Sequence, residues 1–288
     1  MDLRAMAMGL AFALIWSSAF TSARIIVTHA PPLSASALRF LIAGLIGVAI
    51  AKALGQTMKL TRGQWRAVII FGICQNAIYL GFNFMAMTTI EASLAAIIAS
   101  SMPLLVALIG WIALGDRVRP LGIIGLVVGF AGVFVIMGAR FQGGIDTYGV
   151  TLCVIAAFSL AIATLAVRGA AAGGNLMMVV GLQMLVGAAV LSVPAALFET
   201  HSVNWTPALI WAFLYTVTLP GLIATFIWFS LVERIGAVKA STFHFLNPFF
   251  GVAVAAVLLG ERLGAYDVIG VAIIAAGILA VQLSKQKI

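Results

Sequence analysis

Two stretches, PLLVALIGWIALGDRVRPLGIIGLVVGFAG at residues 103–132 and PFFGVAVAAVLLGERLGAYDVIGVAIIAAG at residues 248–277, carry one pattern of special residues. Both begin with a proline inside an apolar run, and 248 − 103 = 145. The same offset, without a gap, aligns the turn GDR with GER, Gly125 with Gly270 and Gly132 with Gly277. Apolar sequences share residues by chance, but a shared acid–base turn predicts an internal repeat.

The repeat lies in a very apolar chain, since 64% of the 288 residues are hydrophobic and 8% are charged. A soluble domain has about a quarter charged residues, so we expect a membrane protein. Runs of about 20 apolar residues are long enough to cross a bilayer as helices, and they show no alternation typical of a transmembrane barrel. The first run is too long for a signal-peptide core. We predict ten transmembrane helices, near 5–28, 33–53, 65–87, 92–114, 120–138, 147–169, 175–198, 207–232, 237–259 and 265–283.

The offset of 145 residues covers five predicted helices, and five is an odd number. Matching helices therefore cross the membrane in opposite directions, so that the sequence predicts a 5+5 inverted-topology repeat, with residues 1–140 and 141–288 as its two units. In transporters of this architecture the substrate site lies near the midplane, between the repeats, where helices are interrupted.

The charges predict the orientation. The net charge is +8, yet nothing concentrates it into a nucleic-acid surface. If the N-terminus is cytoplasmic, twelve of the sixteen Lys and Arg fall on the cytoplasmic side, as the positive-inside rule requires. We therefore expect both termini in the cytoplasm of a bacterium and the chain in its inner membrane. The twelve are Arg4, Lys52, Lys59, Arg62, Arg66, Arg117, Arg119, Arg168, Arg234, Lys239, Lys285 and Lys287.

Several motifs together resemble one known family. LIWSSAF at 14–20, ALRFLIAGL at 37–45 and the paired P…GDR and P…GER patterns are similar to the EamA-type branch of the drug/metabolite transporter superfamily. The resemblance covers the whole chain and implies a ten-helix exporter of small metabolites, whose halves rock between inward-open and outward-open forms. Members of the family include exporters of amino acids, among them aromatic ones. Arg39 resembles an arginine that members carry at this place.

Polar residues within the predicted spans are candidates for a substrate site. Asn76, Tyr79 and Asn83 share one face of the third span, which favours a cavity wall, with helix-to-helix hydrogen bonding as the alternative. Neutral polar groups and aromatic rings suit a substrate with an apolar body and a polar or zwitterionic head. The further candidates in the other spans are Trp16, Ser17, Phe20, Ser100, Ser101, Thr225, Trp228, Phe229, Ser241, His244 and Asn247.

Four residues are candidate gates or hinges. Pro103, Pro220 and Pro248 each remove a backbone donor inside a span, which is tolerated only against protein or a wet cavity. A plain packing kink is the alternative for each. Arg39 could gate the outer mouth or attract a carboxylate, or its side chain could reach out to the lipid headgroups.

The acidic residues all fall in predicted loops or at span ends, so that only His244 is a deep titratable group. We therefore expect facilitated export, with a proton-coupled multidrug, nucleoside or metabolite exporter as the alternative. A polytopic enzyme is disfavoured because the sequence shows no nucleophile–base–acid set or metal cluster. A channel is a further alternative to a carrier. We expect no cofactor and no metal, with Cys74 and Cys153 as apolar fillers. The partners we expect are a small-molecule substrate and the bilayer, for a monomer whose helix glycines pack inside each half.

Overall fold

Helices make up nearly all of the residues described by the computed structural model, which are 3–142, 144, 146–166, 175–235, 240 and 242–285. Ten helices follow one another, and three of them change helix type along their length while one breaks for a single residue. They are α1 Leu3–Val27; α2 Pro32–Ala53; α3 Arg62–Phe71, Gly72–Leu80 and Gly81–Ala86; α4 Ala92–Ser100 and Met102–Leu114; α5 Pro120–Gln142; α6 Thr147–Ala166; α7 Leu176–Phe198; α8 Pro207–Thr216, Val217–Ile223 and Ala224–Ile235; α9 Thr242–Leu246 and Asn247–Leu259; and α10 Ala265–Lys285.

The ten-helix prediction is confirmed. Within the described ranges, nine helices are long and apolar enough to cross a membrane, and α9 supplies a shorter apolar helix at Phe243–Leu259. Every predicted boundary that falls in these ranges lies within four residues of an observed one. The end of the sixth span and the start of the ninth fall outside the described residues.

The offset of 145 residues recurs in the backbone itself. α3 and α8 begin at Arg62 and Pro207, and each contains a stretch of π-helix, which starts at Gly72 and Val217. Both pairs differ by 145 (207 − 62 and 217 − 72). The wide π turns are frequent at functional sites, and here one appears in each half of the chain.

The second halves of α4 and α9 follow the same rule. They begin at Met102 and Asn247 with a proline at the next position, where its missing N–H costs no helical hydrogen bond. They end at Gly115 and Gly260, whose φ angles of 69° and 67° lie in the left-handed region that glycine adopts without strain. The prolines therefore start new helical segments, as the sequence predicts for interruptions in the spans.

Two antiparallel helix pairs cross through glycines, and for the pair α5 and α10 the predicted packing of the glycines inside each half is wrong. On α5 and α10, a Cβ on Gly125 would lie 2.7 Å from the Gly277 carbonyl oxygen, and one on Gly132 would lie 2.9 Å from that of Gly270. The glycines thus join the two halves of the chain instead of packing inside each half. α2 and α7 approach in the same manner, since a Cβ on Gly44 would lie 3.0 Å from the Gly181 carbonyl oxygen.

Carboxylates of the second half cap helices of the first half. Glu199, directly after α7, accepts hydrogen bonds of 2.7 Å from the N–H groups of Leu33 and Ser34 and from the Ser34 hydroxyl. Glu261 accepts in the same way from the first two N–H groups of α4, at 2.8 and 3.0 Å. At the other end of the α2–α7 pair, the Gln56 carboxamide accepts from the Met178 N–H at 3.0 Å. Negative charge at a helix start is stabilising, which favours the Glu199 and Glu261 caps. The Glu199 and Gln56 contacts join α2 and α7 at both ends of the pair, and the Glu261 contact joins α4 to the second half of the chain.

We expect the substitution Glu199→Ala to destabilise the protein by about 2 kcal/mol, because three donors at the start of α2 lose a charged acceptor. Thermal unfolding of the purified protein in detergent measures this. His201→Ala, which truncates an exposed neighbour, is the matched control and should leave the unfolding temperature unchanged. Equal stability of the two variants would show that the Glu199 cap contributes nothing to the pairing of α2 with α7.

Candidate functional site

Two adjoining cavities lie between the two halves of the chain. We call the first the arginine cavity, after Arg39; α1, α2, α3 and α8 line it, and it contains about 550 Å³ of empty space, including space open to the outside. We call the second the histidine cavity, after His244; α1, α3, α4, α6 and α9 line its roughly 310 Å³, counted in the same way. Both cavities take residues from each repeat, which is the location that the sequence predicts.

Most of the predicted site residues line one or both cavities. In the arginine cavity they are Trp16, Phe20, Arg39, Tyr79, Asn83, Pro220 and Thr225. In the histidine cavity they are Trp16, Ser17, Phe20, Tyr79, Ser100, Pro103, His244 and Asn247.

Three aromatic side chains are common to both cavities. Trp16 and Phe20 lie one turn apart on α1, and Tyr79 faces them from the π-helical stretch of α3. Trp16 is half-buried, whereas Tyr79 is only 1% exposed. Since these rings are the lining that the cavities share, they form the partition between the two chambers.

The polar stripe predicted on α3 divides into two faces. Tyr79 and Asn83 face the cavities. The Asn83 side-chain nitrogen donates a hydrogen bond of 2.7 Å to the Tyr79 carbonyl, and its side-chain oxygen accepts one of 3.4 Å from the Cys153 thiol. Asn76 lines neither cavity. Its side-chain nitrogen donates a hydrogen bond of 2.9 Å to the Gln183 carbonyl of α7. Asn76 therefore joins two helices, which was the alternative to a cavity wall.

Arg39 does not extend to the lipid headgroups. Its side chain is 4% exposed and lines the arginine cavity, and its Nε and Nη2 atoms are buried without a hydrogen-bond partner in the part of the chain that the structure describes. The guanidinium carbon lies 4.2 Å from the centre of the Phe40 ring and 4.7 Å from that of Phe84. Such cation–π contacts offset part of the cost of burying the charge, but they supply no acceptor.

His244 is packed among rings. Its imidazole meets Phe12 edge to face at 5.4 Å and Trp228 at 4.9 Å between ring centres. The Asn247 side-chain nitrogen lies 2.9 Å from Nδ1 of the histidine. The Asn247 Oδ1 atom and the Ser17 hydroxyl are buried without a partner, and both residues line the same cavity. Trp228 thus supports His244 and lies in neither cavity lining.

The other candidates have plainer positions. Ser101 is buried and donates to the Ile98 carbonyl at 2.7 Å, while Pro248 is buried near the start of the second segment of α9, and neither lines a cavity. Phe229 belongs to α8, but its side chain is not among those described. Ser241 lies outside the described residues.

The sequence reasoning did not single out several of the lining residues, among them Gln75 and Met102. Gln75, in the π-helical stretch of α3, lines the arginine cavity, and Met102, at the break in α4, lines the histidine cavity. The repeat offset could have found Gln75, because 220 − 75 = 145 makes it the counterpart of Pro220 on the same cavity wall.

The acidic residues whose side chains the structure describes keep away from both cavity linings. Glu91, Asp116, Asp146, Glu199, Glu261 and Asp267 lie between helices or in a first turn. Among the described residues, no group of three or more His, Cys, Asp or Glu side chains is placed to hold a metal ion. What the cavities offer a ligand is therefore rings, amides, hydroxyls, one imidazole and one guanidinium.

Comparison with known proteins gives one family and several relatives. The model of the EamA-like transporter family matches twice, at residues 3–138 and 147–283. The uncharacterized transporter YvbV of Bacillus subtilis is 27% identical over 88% of this chain and 84% of its own length. The uncharacterized inner membrane transporter YedA of Escherichia coli K12 is 25% identical over 96% of this chain and 90% of its own.

Two further matches bear on the site and the fold. The aromatic amino acid exporter YddG of Ancylobacter novellus is 34% identical over 113 residues, which are 39% of either chain. A solved crystal structure aligns with 98% of this chain and 98% of its own, with a TM-score of 0.71 and 24% identity, and shows the same fold.

Proposed function

The chain belongs to the EamA-like transporter family, and on that basis we propose that it exports small amphiphilic metabolites, foremost neutral amino acids including aromatic ones, by alternating access. It is a membrane transporter, and as such an integral protein of the bacterial inner membrane, like the relative named for that membrane. We propose that both termini are cytoplasmic, that the repeats are inverted, and that the protein works as a monomer without nucleic-acid partners, cofactors or enzymatic activity.

The observation that carries the proposal is the pair of cavities on either side of one aromatic partition. The breaks in α4 and α9 and the π-helical stretches of α3 and α8 border these cavities at matching places in the repeat. Interrupted helices at a site between repeats are the usual construction of secondary transporters that rock around a fixed site. Residues Pro103, Pro220 and Pro248, together with Arg39, are our proposed gates or hinges.

The lining chemistry supports an amphiphilic substrate. Phe20, Phe84 and Trp16 offer apolar and aromatic surface, while Asn83 and Gln75 place amides beside it. A pocket with apolar walls and a few polar groups orients a ligand that has an apolar body and a polar head. The partial likeness to an aromatic amino acid exporter agrees with this choice.

We propose facilitated transport, because the described carboxylates stand at helix ends and His244 is held among rings and an amide. Buried Asp and Glu residues are the usual proton relays of membrane pumps. The alternative is a proton-coupled exporter in which His244 carries the proton.

Counterflow in proteoliposomes tests the proposal. Vesicles loaded with unlabelled phenylalanine should take up external labelled phenylalanine faster than empty vesicles do, and uptake should saturate, because a carrier exchanges substrate at a limited number of sites. Uptake that rises linearly with concentration and ignores the internal substrate would identify a channel instead. A panel of labelled nucleosides and drug-like cations, run in the same vesicles, would identify another substrate class.

An imposed pH gradient tests the coupling. We expect counterflow of phenylalanine to change less than about twofold with the gradient, since none of the described carboxylates lines either cavity. The matched variant His244→Gln keeps a hydrogen-bonding side chain and should show the same small response. Strong stimulation in the native protein that His244→Gln abolishes would establish the proton-coupled alternative.

A further inference from the structure

The arginine cavity contains a buried positive charge that none of the described side chains neutralises. Arg39 is 4% exposed, and its Nε and Nη2 atoms have no hydrogen-bond partner among the described residues. The carboxylate at the start of the same helix, Glu199, is occupied with the N–H groups of Leu33 and Ser34. A buried, unpaired guanidinium is costly, and a protein keeps one where something else brings the counter-charge.

The surroundings of Arg39 describe what could bring it. The Phe40 and Phe84 rings stand against the guanidinium, and Phe20 and Met87 line the same cavity. Arginine binds carboxylates in a planar, directional manner, and the apolar walls leave room for a hydrocarbon or aromatic body beside it. A cationic head without a carboxylate would be repelled by the guanidinium, and a neutral head would leave its charge uncompensated.

We propose that Arg39 is the anion-binding group of the arginine cavity and that the transported substrate is recognised by its carboxylate, whose apolar body lies against Phe20 and Phe84. The proposal rests on the proposed function, in that this cavity is the substrate site, and it narrows the substrate to carboxylic acids with an apolar side chain. An α-amino group is permitted by this geometry but is not required.

The repeat offers independent support. By the offset of 145, Arg39 corresponds to Met184, an apolar residue that is 3% exposed in the core of the other half. The fold therefore does not need an arginine at this position of the repeat, since the equivalent helix packs without one. The charge is a property of the cavity in the first half and not of the architecture.

Ligand binding to the purified protein in nanodiscs tests the proposal without transport. The probes are 3-phenylpropionate and its neutral amide, 3-phenylpropionamide, which differ in the carboxylate alone. Binding is followed by quenching of tryptophan fluorescence, since Trp16 lines both cavities, and by the ligand-induced rise of the unfolding temperature. The native protein should bind the acid at least about tenfold more tightly than the amide, as expected for a charge-assisted hydrogen bond.

Three variants test whether the preference for the acid depends on Arg39. In Arg39→Gln the preference for the acid should disappear, while Arg39→Lys, which keeps the charge, should keep part of it. Arg24→Gln is the matched control: it removes another arginine of the first half, one that already donates to the Met87 carbonyl, and should keep the full preference. Because Arg39 is unpaired, Arg39→Gln without ligand should unfold at the native temperature or above it.

Four outcomes would overturn the proposal: equal binding of acid and amide by the native protein, a preserved preference in Arg39→Gln, a loss of stability in ligand-free Arg39→Gln and Arg39→Lys alike, or displacement of the acid by phosphate or chloride at equal concentration. The last would mark a site for a structural inorganic anion. If the preference for the acid depends on Arg39 but no counterflow is observed, the carboxylate site is supported and the proposed carrier function is refuted. If counterflow is observed but the acid and the amide bind with equal affinity, the carrier function is supported and the carboxylate site is refuted.

Discussion

The substitution Gly277→Ala is expected to destabilise the protein by about 3 kcal/mol, at the upper end of the cost of overpacking, and to reduce the yield of folded protein. A Cβ at this position of α10 would lie 2.4 Å from both the Cα and the N of Gly129 and 2.7 Å from the Gly125 carbonyl oxygen on α5. All three neighbours are backbone atoms, so no rotamer change can relieve the contact and the two helices must separate. Thermal unfolding in detergent, followed by size-exclusion chromatography, measures the loss.

Gly138→Ala is the matched control, because Gly138 is an exposed glycine of α5 with no heavy atom within 4 Å of an added Cβ. Alanine is the better helix former by about 1 kcal/mol, so this variant should be as stable as the native protein or slightly more so. Equal unfolding temperatures for Gly277→Ala and Gly138→Ala would mean that close backbone approach does not hold α5 to α10.

The same crossing shows where sequence reasoning about the fold succeeds and where it fails. Proline is a local signal, and it predicts the breaks near Pro103 and Pro248 correctly. The partner of a glycine is not a local property. Because α5 and α10 run antiparallel, Gly125 meets Gly277, the counterpart of Gly132, and the glycines connect the repeats.

The polar residues predicted to share one face of α3 lie on two faces, for a geometric reason. The prediction assumed α-helical spacing from Asn76 to Asn83, but Gly72–Leu80 is π-helical and each of its turns holds more residues. Gly72 and Asn76 consequently face α7, where an added Cβ on Gly72 would lie 2.5 Å from the Val186 side chain, while Tyr79 and Asn83 face the cavities. No breaker residue marks this stretch, so its helix type could be inferred only from its counterpart around Pro220.

The residues with distinctive chemistry are those that the two halves do not share. At the offset of 145, Arg39 corresponds to Met184, His244 to Ala99 and Asn83 to Trp228, whereas the residues at the breaks and turns are kept. Shared residues thus maintain the architecture, and unshared residues give the cavities their character. A sequence with an internal repeat therefore contains its own comparison, which points to candidate site residues when the two copies are aligned.

Trp16→Ala is expected to lower the apparent affinity for exchanged phenylalanine at least about tenfold, because buried aromatic contacts at binding sites commonly contribute 2 kcal/mol or more. Trp16 is one of the three rings between the arginine and histidine cavities, and it packs on Phe12 at 5.6 Å between ring centres. Its removal would join the chambers, so that substrate should also leak from loaded vesicles without external substrate. Counterflow and net efflux, measured on the same vesicles, report the two effects separately.

The matched control is Trp111→Ala, which removes an indole that is 41% exposed on α4 and lines neither cavity. Trp111→Ala should leave both affinity and efflux unchanged. Trp16→Phe, which keeps a ring in the partition, should have nearly the native affinity and little net efflux. Leak together with lost affinity in Trp16→Ala alone would identify the partition as the barrier that makes exchange obligatory. If Trp16→Ala exchanges phenylalanine as the native protein does, Trp16 is not needed for the barrier, which would then rest on Phe20 and Tyr79, the other two side chains common to both linings.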